Sequence, residues 1–323
     1  MSLFVVCTTV ATVYALSSFI FLRKPHFIHR RRRPTFIVRN IAHRGGAAEF
    51  HENSLLAFDK GLANGVEMLE LDCHLTKDHQ VVVHHDPSLH RTTGHLGYIK
   101  DIEYAKLPAI NNKIQLYCDS DLTISCDNSP SNSDLLRIPL LKDVFARYPT
   151  TPINIDIKVN DDELIKQVSD LIQKYRREHI TIWGSFSHTV CRKLTLQNPR
   201  IIRFCSFKEA AYVVFAYWTG LLPFLPLTPG AFEVPIPGEV FQKFTENINW
   251  KYKIILYLAE RILNNKSMFA HLQRRGIPVY VWILNNDREF QYAFTEMGVT
   301  GVMTDYPTRL QKYLATNQHD YLL

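Results

Sequence analysis

Two histidines, His43 and His85, and two carboxylates one residue apart, Glu70 and Asp72, fall within the stretch 41–86, with Arg44 directly after the first histidine. On an extended strand the side chains at i and i+2 share a face, so Glu70 and Asp72 can offer oxygens to one hard cation. A third acid, Asp156, alternates with Lys158 in INIDIK. Three carboxylates suit one Mg²⁺ or Ca²⁺, which take several oxygen ligands. Arg44 and Lys158 add positive charge around an anionic substrate. Such a set fits phosphoryl chemistry, where a metal and basic groups stabilise charge on the non-bridging oxygens. His43 and His85 then form a general base and general acid pair. A lone histidine at a strand end, or an ExD pair on a solvated strand face, carries no chemistry by itself. Asp305 in MTDYP and Trp282 in VWILN are weaker signals, and Trp282 either lines a cleft or fills a core.

These residues need elements to hold them. From residue 36 onward, β-like runs at 38–43, 68–73, 153–158, 180–186, 201–206, 231–235, 279–284 and 301–305 alternate with amphipathic stretches at 55–64, 161–177, 257–275 and 288–297. Eight strands alternating with helices predict an α/β fold, a (β/α)₈ barrel with active residues at the C-terminal strand ends. His43, Asp72 and Lys158 fall at such ends. Residues 80–84 follow Asp78-His79 closely and read as the return arm of a hairpin that swings His85 over the mouth. Residues 86–137 lack clear periodicity and read as a loop insertion, to which no function is assigned.

A chain of 323 residues, 46% hydrophobic and 21% charged, is long enough for one such barrel and is not disordered. Its net charge of +6 comes largely from Arg23, Lys24, Arg30, Arg31, Arg32, Arg33 and Arg39. The remainder is close to neutral, which argues against a nucleic-acid surface spread over the fold. Six scattered cysteines show no paired spacing, and a Cys118–Cys126 bridge is the minor alternative to free thiols.

The first 22 residues carry no charge and can cross a bilayer. Because the basic residues follow the apolar run, residues 1–24 read as an uncleaved transmembrane anchor rather than a signal peptide. Residues 25–36 read as a basic linker and 37–323 as the barrel. The positive-inside rule places the catalytic body in the cytosol, and the expected membrane is that of the endoplasmic reticulum or perinuclear region. The run 29–33 resembles a nuclear localisation patch, but beside an anchor it reads as a stop-transfer flank holding anionic lipid. A second uncharged stretch, 210–232, lies between the fifth and sixth strands, where a full crossing would leave strand edges unpaired. It reads as an interfacial or re-entrant segment at the barrel mouth, or else as a buried barrel helix.

The ordered motifs HRGG, HENS, ELD, VVVHHD, INIDIK, VYVWILN and GVTGVMTDYP resemble the glycerophosphodiester phosphodiesterase family, in particular its membrane-anchored lysophospholipase D branch. That resemblance implies a (β/α)₈ barrel with His43 and His85 as acid/base pair and with Glu70, Asp72 and Asp156 as ligands of one divalent cation. Asp156 stands where the family more usually has Glu, one methylene longer. Arg44 matches the phosphate-binding arginine; Glu52 and Asn53 match the EN pair at the substrate, with Ser54 in place of the usual Thr. Combined with the anchor, it implies hydrolysis of lysophosphatidylcholine, lysophosphatidylethanolamine or N-acyl lysophosphatidylethanolamine to lysophosphatidic acid plus choline or an (N-acyl)ethanolamine. The free glycerol hydroxyl is the expected nucleophile, which makes diacyl lipids poor substrates. Two further readings stand beside it. One is a glycerophosphodiesterase acting on water-soluble deacylated substrates. The other is an inert lipid-binding scaffold, against which the complete set of charged residues argues. The expected partners are a lysophospholipid and the bilayer, with no nucleic acid and no obligate protein partner.

Overall fold

The computed structural model describes residues 2–126, 134–236, 238–245, 249–250, 253–254 and 262–317. In chain order its strands are β1 (Asn40–Ala42), β2 (Met68–Leu75), β3 (Val81–Val83), β4 (Lys113–Leu116), β5 (Asp119–Ser125), β6 (Ile153–Ile157), β7 (Thr181–Gly184), β8 (Ile202–Arg203), β9 (Phe232–Pro235), β10 (Val279–Trp282) and β11 (Gly301–Thr304). Eight of them pair in parallel in the order β8-β7-β6-β2-β1-β11-β10-β9. A parallel bridge from Phe204 to Ala231 joins the two ends and closes the barrel. The strands are buried on both faces, as parallel strands covered by helices must be.

Helices cover the outside, and their apolar faces form two large clusters. One, around Phe145, Ile155 and Trp183, lies over β2, β6 and β7; the other, around Phe232, Phe269 and Phe290, lies over β9, β10 and β11. A smaller cluster of Ile41, Met68, Ile182, Phe204, Tyr280 and Met303 plugs the interior. The polar mouth above it is therefore the place where charge can collect.

β3 returns antiparallel onto β2, pairing Cys73 with Val83, and this fixes His85 at the barrel rim. The insertion is more ordered than its lack of periodicity suggested. β4 and β5 form an antiparallel hairpin, and Leu89, Ile99, Ile110, Ile114 and Ile124 give the region its own small core. Strands this short carry too few alternations to stand out in a sequence. The amphipathic stretch expected at 257–275 is seen as the helix Lys266–Arg274; residues 257–261 lie outside the described residues.

The uncharged stretch 210–232 begins inside the helix Phe207–Trp218, whose start is fixed by a capping box between Ser206 and Glu209. Ala210, Val213 and Ala216 face the barrel, whereas Tyr212, Phe215 and Trp218 are exposed. Residues 210–218 thus belong to a barrel helix with an aromatic outer face, and the rest of the stretch runs through the short 3₁₀ helix Leu222–Phe224 to β9.

The N-terminal helix Leu3–Arg23 has no buried residue and is long and apolar enough to cross a membrane. Its second half rests on the loop after the Phe207–Trp218 helix. The Tyr14 hydroxyl donates to the Thr219 carbonyl at 2.6 Å and the Ser18 hydroxyl to that of Gly220 at 2.7 Å.

Candidate active site

The HRGG turn follows β1 directly. Arg44, Gly45 and Gly46 all have positive φ, and a Cβ on Gly45 would lie 2.8 Å from Ala57 Cβ and the Phe58 ring. Only glycine fits there. The tight turn aims the Arg44 backbone N–H at Glu70 Oε2, 2.7 Å away. It also sends the Arg44 guanidinium inward, where Nη1 donates to Glu52 Oε1 at 3.0 Å and Nε lies 3.6 Å from Asp72 Oδ2. Burial works against the Arg44 charge, but Glu52 and Asp72 outweigh it and keep the guanidinium firmly protonated.

Each candidate histidine has its own carboxylate. His43 Nδ1 donates to Asp305 Oδ1 at 2.7 Å, and His85 Nδ1 to Asp86 Oδ1 at 2.6 Å. A carboxylate accepting at Nδ1 fixes the tautomer and leaves Nε2 for chemistry. Burial and the neighbouring Arg44 hold His43 below the ordinary imidazole range, against the opposing pull of Asp305, so it is a neutral base at neutral pH. His84, adjacent to His85, is different. It is buried, bonded to the Asp86 carbonyl and Thr92, and pushed down to about 4 by burial. It holds the turn and does not line the cavity.

The three acids share the interior face of adjacent strands, with Asp72 in register with Asp156 and Glu70 with Asn154. Lys158 Nζ lies 2.7 Å from Asp156 Oδ2 and 2.9 Å from Asp72 Oδ1. Burial and the charge on Asp72 drive Glu70 well above the usual carboxylate range, and burial also raises Asp156. Asp156 Oδ1 is buried and accepts no hydrogen bond, and Asp72 Oδ1 meets Lys158 only as an ion pair. This is excess buried negative charge with acceptor capacity to spare, so the donor set suits a hard cation. Among the described residues, however, no three acidic, histidine or cysteine groups converge on one point, because the Lys158 ammonium sits between two of them.

A cavity of about 490 Å³ opens at the strand ends and brings together His43, Arg44, Glu70, His85, Asp156 and Lys158. Trp282 and Phe186 also line it, their rings tilted at 44° with centroids 5.2 Å apart, and Lys158 Nζ lies 5.8 Å from the centroid of the same Phe186 ring. Glu52 and Asn53 do not line it. Glu52 holds Arg44 and Arg91, and Asn53 Nδ2 donates to Asp72 Oδ2 at 2.9 Å, so both position other side chains.

Several residues escaped the sequence reading. Tyr117, on the β4–β5 turn, lies between the two imidazoles, with its ring 5.4 Å from that of His43 and 6.4 Å from that of His85. The same ring carries Arg44 at 4.0 Å, and its hydroxyl donates to Asp305 Oδ2 at 3.0 Å. Arg91 ties Asp86 to Glu52. Glu233, on β9, is pushed up to about 8, chiefly by burial and further by Asp156, against the Asn154 amide that donates to it. A lone acid within the apolar run AFEVP is the signal that could have found it.

A (β/α)₈ barrel with two carboxylate-paired histidines, a buried arginine and a lysine around one polar mouth is a hydrolase for phosphate esters. The comparisons make this specific. Residues 43–309 match the model of the glycerophosphoryl diester phosphodiesterase family. Lysophospholipase D GDPD1 of Homo sapiens is 42% identical over 302 residues, which is 93% of this chain and 94% of that protein. Lysophospholipase D GDPD3 of Homo sapiens is 36% identical over 302 residues, 93% of this chain and 92% of that one. The fold also matches a glycerophosphoryl diester phosphodiesterase domain from Mycobacterium tuberculosis at a TM-score of 0.62, with 15% identity over 85% of this chain and 99% of that one. The chain belongs to the glycerophosphoryl diester phosphodiesterase family and is a phosphoric diester hydrolase of the glycerophosphodiester phosphodiesterase and lysophospholipase D type.

Proposed function

We propose that this chain is a membrane-anchored lysophospholipase D. Its substrates are lysophosphatidylcholine, lysophosphatidylethanolamine or N-acyl lysophosphatidylethanolamine, and its products lysophosphatidic acid plus choline or an (N-acyl)ethanolamine. The supporting observation is one cavity lined both by Arg44 and Lys158, for the phosphate, and by Phe186 and Trp282, for apolar substrate. The names of the relatives point the same way.

In this reading His43 Nε2 removes the proton of the free glycerol hydroxyl, whose oxygen forms a bond to phosphorus. The bond from phosphorus to the headgroup oxygen breaks, and His85 Nε2 protonates that oxygen. Water then opens the cyclic phosphate with the two imidazoles in exchanged roles, releasing lysophosphatidic acid. Arg44 neutralises a non-bridging oxygen throughout. Glu70, Asp72 and Asp156 are the residues to hold Mg²⁺ or Ca²⁺, which when bound supplies further positive charge to the phosphate. The anchor belongs in an endoplasmic reticulum or perinuclear membrane with the barrel on the cytosolic side.

The test is headgroup release from lysophosphatidylcholine and glycerophosphocholine in parallel, with wild type and His43→Ala, each with Mg²⁺, Ca²⁺ or chelator. Turnover of the lysolipid that stops with chelator and with His43→Ala is expected. Turnover of glycerophosphocholine alone would make the chain a glycerophosphodiesterase for soluble substrates.

A further inference from the structure

Beside the catalytic cavity lies a second one, of about 340 Å³, between the Phe207–Trp218 helix and the ends of β8 and β9. Phe186, Glu233 and Trp282 line both, so the tilted Phe186–Trp282 ring pair stands at the boundary between them. Apart from Glu233 and Ser206, its walls are apolar or thiol side chains. Phe207, Ala211 and Val214 succeed one another at spacings of four and three, which puts them on one helix face, and Ala210 and Ala211 leave room where larger side chains would fill the gap. Leu263 closes the opposite wall. The Trp218 indole donates to the Ile262 carbonyl at 3.0 Å, which pins the end of the helix to that wall.

We infer that this second cavity receives the acyl chain of the substrate, entering past Trp282 and Phe186 while the phosphate stays at Arg44 and Lys158. The inference rests on the lysophospholipase reading above and gives it a specificity element. The slot is open on one side, where Phe186, Phe207 and Ile262 are exposed, so an acyl chain laid in it would cover apolar surface that otherwise faces outward. Within the first part of the 210–232 stretch, lining this slot accounts for the small or apolar residues Ala210, Ala211 and Val214.

Burial of one methylene is worth about fourfold in binding. Lysophosphatidylcholines from hexanoyl to dodecanoyl, kept below their micellar concentrations, should therefore show kcat/KM climbing by up to about fourfold per methylene in the full-length wild type. Ala211→Trp fills the slot and should flatten that climb, with a loss that grows with chain length and reaches at least tenfold on the dodecanoyl substrate. Val214→Ala widens it and should carry the climb to longer chains. A wild-type ladder unchanged in both variants, or one lowered equally at every length in both, overturns the assignment.

Binding is read separately, with a lysophosphatidylcholine carrying a diazirine at the chain terminus. Crosslinks are expected at 207–214 or 262–263. If those crosslinks form and no lysolipid is cleaved, the acyl slot stands and the reaction assigned above falls. If lysolipid is cleaved and the crosslinks lie elsewhere, the slot falls and the reaction stands.

Discussion

At the scale of single residues, the chemistry depends on carboxylates that orient imidazoles. Asp305 accepts from His43 and is itself held by Tyr117 and by the Asn285 amide at 3.0 Å. Asp305→Asn offers His43 an amide that no longer fixes one tautomer. We expect kcat to fall by about 10²- to 10⁴-fold with KM little changed, and an unaltered kcat would remove Asp305 from the mechanism. Glu233 carries a different consequence. With its folded value raised to about 8, it stays protonated in the barrel after its unfolded counterpart has ionised. The native state therefore binds the extra proton, and stability falls as pH rises from the ordinary carboxylate range towards about 8. Glu233→Gln keeps the Asn154 partner and removes that loss. Melting curves should coincide near about pH 4.5 and separate by on the order of a few kcal/mol near about pH 8, the variant being the more stable. Parallel curves across the range would show that Glu233 ionises freely in the barrel.

At the scale of elements, what could be read from the sequence follows from period and length. The eight barrel strands show as apolar runs separated by helical spacing, and the motif residues of β1, β2 and β6 sit on them at countable offsets. Asp305 was a weak signal because it lies 262 residues from His43, and only the pairing of β11 with β1 makes them neighbours. The insertion was illegible for a second reason: β4 has four residues and pairs only with β5, so no long pattern betrays it. Yet it delivers Tyr117, which touches both imidazoles and Arg44. Tyr117→Phe keeps the ring and removes the bond to Asp305; a stability loss of about 1 kcal/mol and a kcat loss smaller than that of Asp305→Asn are expected. Tyr117→Ala also removes the cation–π contact to Arg44, so KM should rise as well. Kinetics on the two variants separate the roles, and equal behaviour would mean that the ring itself does nothing.

At the scale of the whole molecule, the question is how a barrel meets its lipid. The Leu3–Arg23 helix is not simply tethered. Its Tyr14 and Ser18 hydroxyls bond the carbonyls of Thr219 and Gly220 just past the end of the Phe207–Trp218 helix, and Phe21 meets Phe224 edge to face at 5.8 Å. A helix end leaves carbonyls without partners, so polar groups on an otherwise apolar helix are well used there. The Leu3–Arg23 helix and the aromatic outer face of the Phe207–Trp218 helix thus belong to neighbouring parts of the surface, and a bilayer that held one would lie close to the other. If the helix spans the membrane, full-length chain tagged at both ends should stay in the pellet through high salt and alkaline carbonate, with both tags on one polypeptide. Protease added outside sealed microsomal vesicles should then destroy the C-terminal tag and spare the N-terminal one if the barrel is cytosolic, as the positive-inside rule predicts from the basic flank after Arg23. Release of a shortened chain lacking the N-terminal tag would instead make the first helix a cleaved signal. The contacts of Tyr14 and Ser18 would then be lost from the mature protein, and the exposed aromatic face alone would have to hold it to lipid.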